Sequence, residues 1–140
     1  MSTQKSASAA LQSIAVKVEN SSGNVLPILH EVRHALARLL DGGDTCVIDL
    51  RAIPLAPGEE ESILAALGKG EVSADFDALG RSEVRESAYG GCWVVTHYDE
   101  AGATKARFIE ITTIPDILKS QSADIADGIE RLAARLSVMT

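Results

Sequence analysis

The chain has 140 residues and 46% hydrophobic and 24% charged residues, which is room for one ordinary domain and rules out global disorder. Its net charge of −7 argues against a general nucleic-acid binder and against docking on anionic lipid. No run of 18 apolar residues is present, so no membrane span is expected. Met1–Ala10 lacks an apolar core, so no signal peptide is expected either. Cys46 and Cys92 are too few and too far apart for a disulfide framework, and a cytoplasmic location follows as an expectation.

Residues 1–9 are small and polar and read as a tail, leaving 10–140 as a single domain. Leu11, Ile14, Val16 and Val18 settle on no single period, so 10–18 reads as a short helix or a strand. Asn20–Asn24 is a loop with Asn24 as a candidate N-cap. From Val25 to Asp41, Val25, Leu29, Val32, Leu36, Leu39 and Leu40 recur at steps of three and four, which predicts a helix. Pro27 is harmless in its first turn, and Gly42-Gly43 ends it. Thr45–Leu50 is nearly all apolar and predicts a strand covered on both faces.

Arg51–Pro57 is an extended connector, and Gly58–Leu67 a second helix buried through Ile63, Leu64 and Leu67. Glu59, Glu60 and Glu61 suit the positive end of that helix. Period-two alternation then begins, with Val72, Ala74, Phe76 and Ala78 on one side. Further strands follow at Ser82–Tyr89, Cys92–Tyr98 and Ala106–Thr113, parted by Gly90-Gly91 and Asp99–Gly102. After Ile114-Pro115 come a helical turn at Asp116–Ser120 and an amphipathic helix at Ser122–Ser137. Ile125, Ile129, Leu132 and Leu136 line its expected core face. The fold class is therefore α+β: an antiparallel meander of four or five strands with helices packed mainly on one face. The first and last helices are expected on that same face.

His30-Glu31-Val32-Arg33-His34 reads H-E-x-x-H, the zinc-protease signature, with Glu31 placed to activate water. Both histidines project away from the apolar stripe. The third ligand would have to be His97, at no familiar spacing, so solvated histidines explain the pattern better and no metal is expected. Cys46 reads as a small core residue and Cys92, beside Gly90-Gly91, as the more accessible thiol; two thiols cannot hold an iron–sulfur cluster within one chain. Gly68-Lys69-Gly70 is too short for a phosphate loop and precedes a strand. No constellation demands an enzyme, and no cofactor is expected. Trp93 and His97 share one strand face, with Tyr98 on the other. Trp93 is either core or part of an interaction patch. The Arg51–Glu59 segment is the loop expected to make contacts, through Arg51, Pro54, Leu55, Pro57 and Glu59. The alternative there is a rigid linker whose Leu55 caps the core.

The stretches EVRHALARLL, VIDLRAIPLAPGEEESILAALGKGEVSA, LGRSEVRES, WVVTHYDEAG and RFIEITTIPDILKSQSADIADGI occur in order from about Leu26 to Leu136. Together they resemble the C-terminal conserved region of the HupH/HyaF family, accessory proteins of [NiFe]-hydrogenase maturation. The resemblance implies a non-enzymatic, chaperone-like helper that acts on the iron–sulfur small-subunit precursor beside a thioredoxin-like companion. Family members are usually longer, and the resemblance carries no catalytic set. The net charge of −7 would suit a basic target such as a twin-arginine export leader, met through Glu59–Glu61; simple solubility explains it better. Two other readings stay open. One is a metal-dependent hydrolase using His30, Glu31 and His34. The other is a ligand-free homodimer pairing through its sheet.

Overall fold

The fold is seen in a computed structural model that describes residues 23–77 and 80–140. The expected tail, the element at 10–18 and Ala78 lie outside the described residues. Helix α1 spans Val25–Gly42, and the N–H of Gly43 closes it on the Leu39 carbonyl at 2.9 Å. Its buried stripe is Val25, Ile28, Val32 and Ala35, flanked by half-buried Leu29, Leu36 and Leu39. Leu40 was expected on this face but is 87% exposed. The covered arc is centred on Ile28 and Ala35, which leaves Leu40 to solvent.

Strand β1 (Cys46–Asp49) runs into a 3-10 turn at Leu50–Ala52, started by the Asp49 carboxylate accepting from the Arg51 N–H at 3.0 Å. Helix α2 (Glu59–Leu67) then carries the chain across the sheet to β2 (Ser73–Asp77) at its far edge. The meander continues through β3 (Arg81–Glu86), β4 (Cys92–Tyr98) and β5 (Thr104–Ile111). All pairings are antiparallel, in the order β1-β5-β4-β3-β2. β1 therefore returns beside β5 as the fifth strand and lies at an edge. It is not covered on both faces as expected: Ile48 is buried and Val47 is 60% exposed.

The two sheet faces have different cores. On one, Ile48, Cys92, Ile109 and Ile111 meet Val25, Ile28, Val32 and Ala35 of α1 and Ile63 and Leu67 of α2. On the other, Val84, Trp93 and Val95 pack with Phe76, Phe108 and Leu118, the last from a 3-10 turn at Asp116–Leu118. Helices α1 and α2 thus share one face.

Helix α3 (Ser122–Met139) departs from expectation. It is helical, but none of its residues is buried, and Ile125, Ile129, Leu132 and Leu136 are all more than half exposed. The periodicity that marks an apolar face does not say what covers it. Among the described residues nothing does.

Candidate binding groove

Beyond α2 the helix-covered face lies open toward β3. There a groove of about 380 Å³ forms between Leu64, Ala65, Gly68 and Lys69 on one side and Glu83, Arg85, Val94, Thr96 and Arg107 on the other. Strand alternation explains its charged wall. Arg81, Glu83 and Arg85 fall on one side of β3, and Val84, fully buried, on the opposite side. The floor is the half-buried Val94, met by the half-buried Leu64 from α2.

The polar groups around the groove hold one another. The Arg107 guanidinium pairs with Glu60 Oε1 at 3.2 Å and donates through Nε to Thr96 Oγ1 at 3.1 Å. Glu60 also meets Arg51 at 3.4 Å. Glu83 takes Arg85 at 3.3 Å and Arg81 at 3.0 Å, and Arg81 reaches Asp75 at 3.2 Å. Arg107 and Glu60 are both largely withdrawn from water, so theirs is the pair with structural weight. The exposed Arg81–Asp75 contact contributes little. Lys69, on the rim, makes no ion pair among the described residues. An apolar floor between fixed charges suits an extended segment of another protein, its side chains on the floor and its polar groups toward the walls.

The residues singled out in the sequence do not converge on one place. Arg51 is exposed at the end of the Glu60–Arg107 network. Pro54 and Pro57 are exposed, and the Pro54 carbonyl accepts from Asn24 Nδ2 at 3.2 Å. Leu55 packs against the main core, as a core cap would. Glu59 is 1% exposed and so presents no surface. Its Oε1 accepts from the Ala56 N–H at 2.6 Å and its Oε2 from the Asn24 N–H at 3.1 Å, tying the loop to the start of α1.

The acidic run is consequently not a patch for a basic partner: Glu59 is buried, Glu60 is paired, and Glu61 alone is exposed. Trp93 is 6% exposed on the other sheet face, with Nε1 donating to the Thr112 carbonyl at 3.1 Å, so the structure places it in a core. On that face the half-buried His97 holds Ser82 Oγ through Nδ1 at 2.7 Å and meets the Phe108 ring edge-on at 6.0 Å. Tyr98 carries the Arg81 guanidinium 4.9 Å from its ring centre, in a second cleft at the hairpin ends.

His30 and His34 are exposed on α1, ring centres 6.5 Å apart, with His34 Nε2 3.2 Å from the Arg33 guanidinium. His97 lies across the sheet from them and cannot complete a site with that pair. Among the described residues no three His, Cys, Asp or Glu side chains are grouped to hold a metal. Cys46 and Cys92 both pair with Ile111, from the two strands that flank β5. Cys92 is fully buried. Burial pushes its thiol above the ordinary range, against the opposing pull of a Ser87 hydrogen bond.

Sequence reasoning missed the groove. Its signal was the strand R-S-E-V-R-E, whose three same-side charges mark a sheet surface that no helix covers. Thr96, Arg107 and Lys69 carried no such signal, because only strand register and the end of α2 bring them to Glu83 and Arg85.

An open five-stranded antiparallel sheet with two helices on one face and a groove beside them defines a small α+β domain. The chain belongs to the family described as HupH hydrogenase expression protein, C-terminal conserved region, whose model matches residues 23–139. It is similar to a solved structure of the hydrogenase expression protein HupH from Thiobacillus denitrificans ATCC 25259, at 40% identity and a TM-score of 0.79. That match covers 84% of this chain and 98% of the other. It is 28% identical over 109 residues to the hydrogenase expression/formation protein HupH of Rhizobium leguminosarum bv. viciae, covering 78% of this chain and 39% of that protein. Against the hydrogenase expression/formation protein HoxQ of Cupriavidus necator the identity is 25% over 116 residues, covering 83% and 41%. The chain thus spans about two-fifths of the length of these curated relatives.

Proposed function

We propose that the chain is a non-enzymatic binding module of hydrogenase maturation, which holds the iron–sulfur small-subunit precursor before assembly. The observation that carries this is the family match from residue 23 to residue 139, which spans every described element. The groove agrees with it: its floor is apolar and its Glu83, Arg85 and Arg107 are already paired, which suits holding a chain segment. A thioredoxin-like companion acts alongside, in the cytoplasm. The site for the precursor is the groove between α2 and β3–β5, to whose Arg107 wall Arg51 is linked through Glu60.

Co-expression of the chain with a tagged small-subunit precursor tests this. The wild type should co-purify with the precursor at physiological ionic strength. Ala65 and Lys69 are exposed on the groove wall, so Ala65→Arg and Lys69→Glu fill or invert it without touching the core. Capture should fall about tenfold or more in Ala65→Arg, with circular dichroism unchanged. Failure of the wild type to retain the precursor refutes the assignment of partner. Retention at full strength by both variants refutes the assignment of site.

A further inference from the structure

In α3, Ile125, Ile129, Leu132, Leu136 and Met139 recur at strictly alternating steps of four and three. That is the a/d seam of a helix that pairs with another helix, narrower than the stripe by which helices usually dock on a globular core. The five side chains are between 51% and 71% exposed. Beside the seam stand Ala126, Gly128 and Ala133, small enough to let a second helix approach closely.

The charges of α3 name the second helix. Its first half carries Asp124, Asp127 and Glu130 and no base; its second half carries Arg131 and Arg135 and no acidic side chain. A second copy laid parallel would set like charge on like. Laid antiparallel, it brings Asp124 of each helix beside Arg135 of the other along one flank of the seam and opposes the two macrodipoles, while Asp127 and Arg131 pair within their own helix at 2.9 Å. Such a pairing is two-fold and closes on itself, so it stops at a dimer. Half to seven-tenths exposed in each copy, the five seam residues of both copies together offer an area on the order of the 1,000 Å² that a specific interface needs.

We propose that α3 is a self-association element, by which two copies of this chain pair through antiparallel α3 helices along the Ile125–Met139 seam. The sheets of the two copies take no part. This goes beyond the proposed function and does not depend on the groove.

The test is sedimentation equilibrium of the full chain over a concentration series. The wild type should move from 14.8 kDa to twice that mass as concentration rises. Because none of α3 is buried among the described residues, Ile129→Asp with Leu132→Asp should leave the body folded, with the near-ultraviolet signal of Trp93 unchanged. The variant should weaken the dimer by about a hundredfold or more. Orientation is read by crosslinking in a Cys46→Ser background. Ser122→Cys and Met139→Cys chains should oxidise to mixed disulfides, since that antiparallel register sets the two seam ends face to face, and Ser122→Cys alone should not. A wild type that stays monomeric at all concentrations overturns the proposal. So does a dimer that survives the double substitution, as pairing through the sheet would. A monomer whose α3 amides are protected until residues 1–22 are deleted also overturns it, by naming an internal occupant.

Discussion

Glu59→Ala should cost this domain much of its stability, although a glutamate at the start of a helix is usually a surface residue. The carboxylate is 1% exposed and accepts the backbone N–H groups of Ala56 at 2.6 Å and Asn24 at 3.1 Å. Each is a hydrogen bond to a charged group, worth about 1.5–3 kcal/mol. Losing both sums to about 3–6 kcal/mol against a total of about 5–15 kcal/mol for a domain. For a chain of this size that lowers the melting temperature by roughly 10–20 °C. Glu59→Gln keeps the shape and one acceptor oxygen and should lose about half as much. The damage should be local first. Hydrogen exchange should rise at Ala56 and at the start of α1, where Asn24 also holds the Pro54 carbonyl. Urea unfolding with tryptophan emission measures the global term, since Trp93 is the single tryptophan and is buried. A Glu59→Ala protein within about 1 kcal/mol of the wild type would show that the two bonds do not hold the loop, and the reasoning would fail.

The meander was legible because its strands alternate and its turns are short. Cys92–Tyr98 has the bounds expected of it, and β3 and β5 differ by one to three residues at their ends. The position of β1 was not. Four residues are too few for period two to show, and the apolar run Cys46–Leu50 belongs to two elements. Val47 faces out, Ile48 faces in, and Leu50 is buried by the 3-10 turn that follows. Glu59 was hidden for a similar reason. Three consecutive glutamates are locally alike, and only the return of the Arg51–Pro57 loop over the helix start holds the first, while β5 brings Arg107 to the second. Trp93 stood between core and patch until register set it beside Glu110 and the Thr112 carbonyl on the second face. The amphipathicity of α3 was read correctly and its burial was not, because a sequence reports a face and not its occupant.

Thiol labelling should modify Cys46 alone in the native chain and reach Cys92 only in denaturant, since Cys92 is fully buried with its thiol pushed up by desolvation. Fast labelling of both would contradict the packing. Gly91→Ala should destabilise by about 1 kcal/mol more than Gly102→Ala, as read from urea midpoints. Both glycines have φ near +85°, but only at Gly91 would a Cβ meet Leu36 and Leu39, each at 3.2 Å. Equal losses would show that backbone conformation alone sets the cost. The last prediction concerns Glu110, half-buried on the second sheet face. Its carboxyl is raised above the ordinary glutamate range first by desolvation, then by Asp116, against a weaker opposing pull from His97. A raised folded value means that the native state holds this proton where the unfolded chain has released it. Stability from this group is therefore full below the unfolded value and falls as pH rises through the folded one. Glu110→Gln, which fixes the neutral form, should raise the melting temperature at pH 7. The gain should shrink to nothing as pH falls toward 4, where wild-type Glu110 is itself protonated. Asp116→Asn should reproduce part of the gain, because it removes one of the two causes that raise Glu110. A gain for Glu110→Gln that is the same at pH 4 and pH 7 would mean that packing, and not the proton, separates the two side chains.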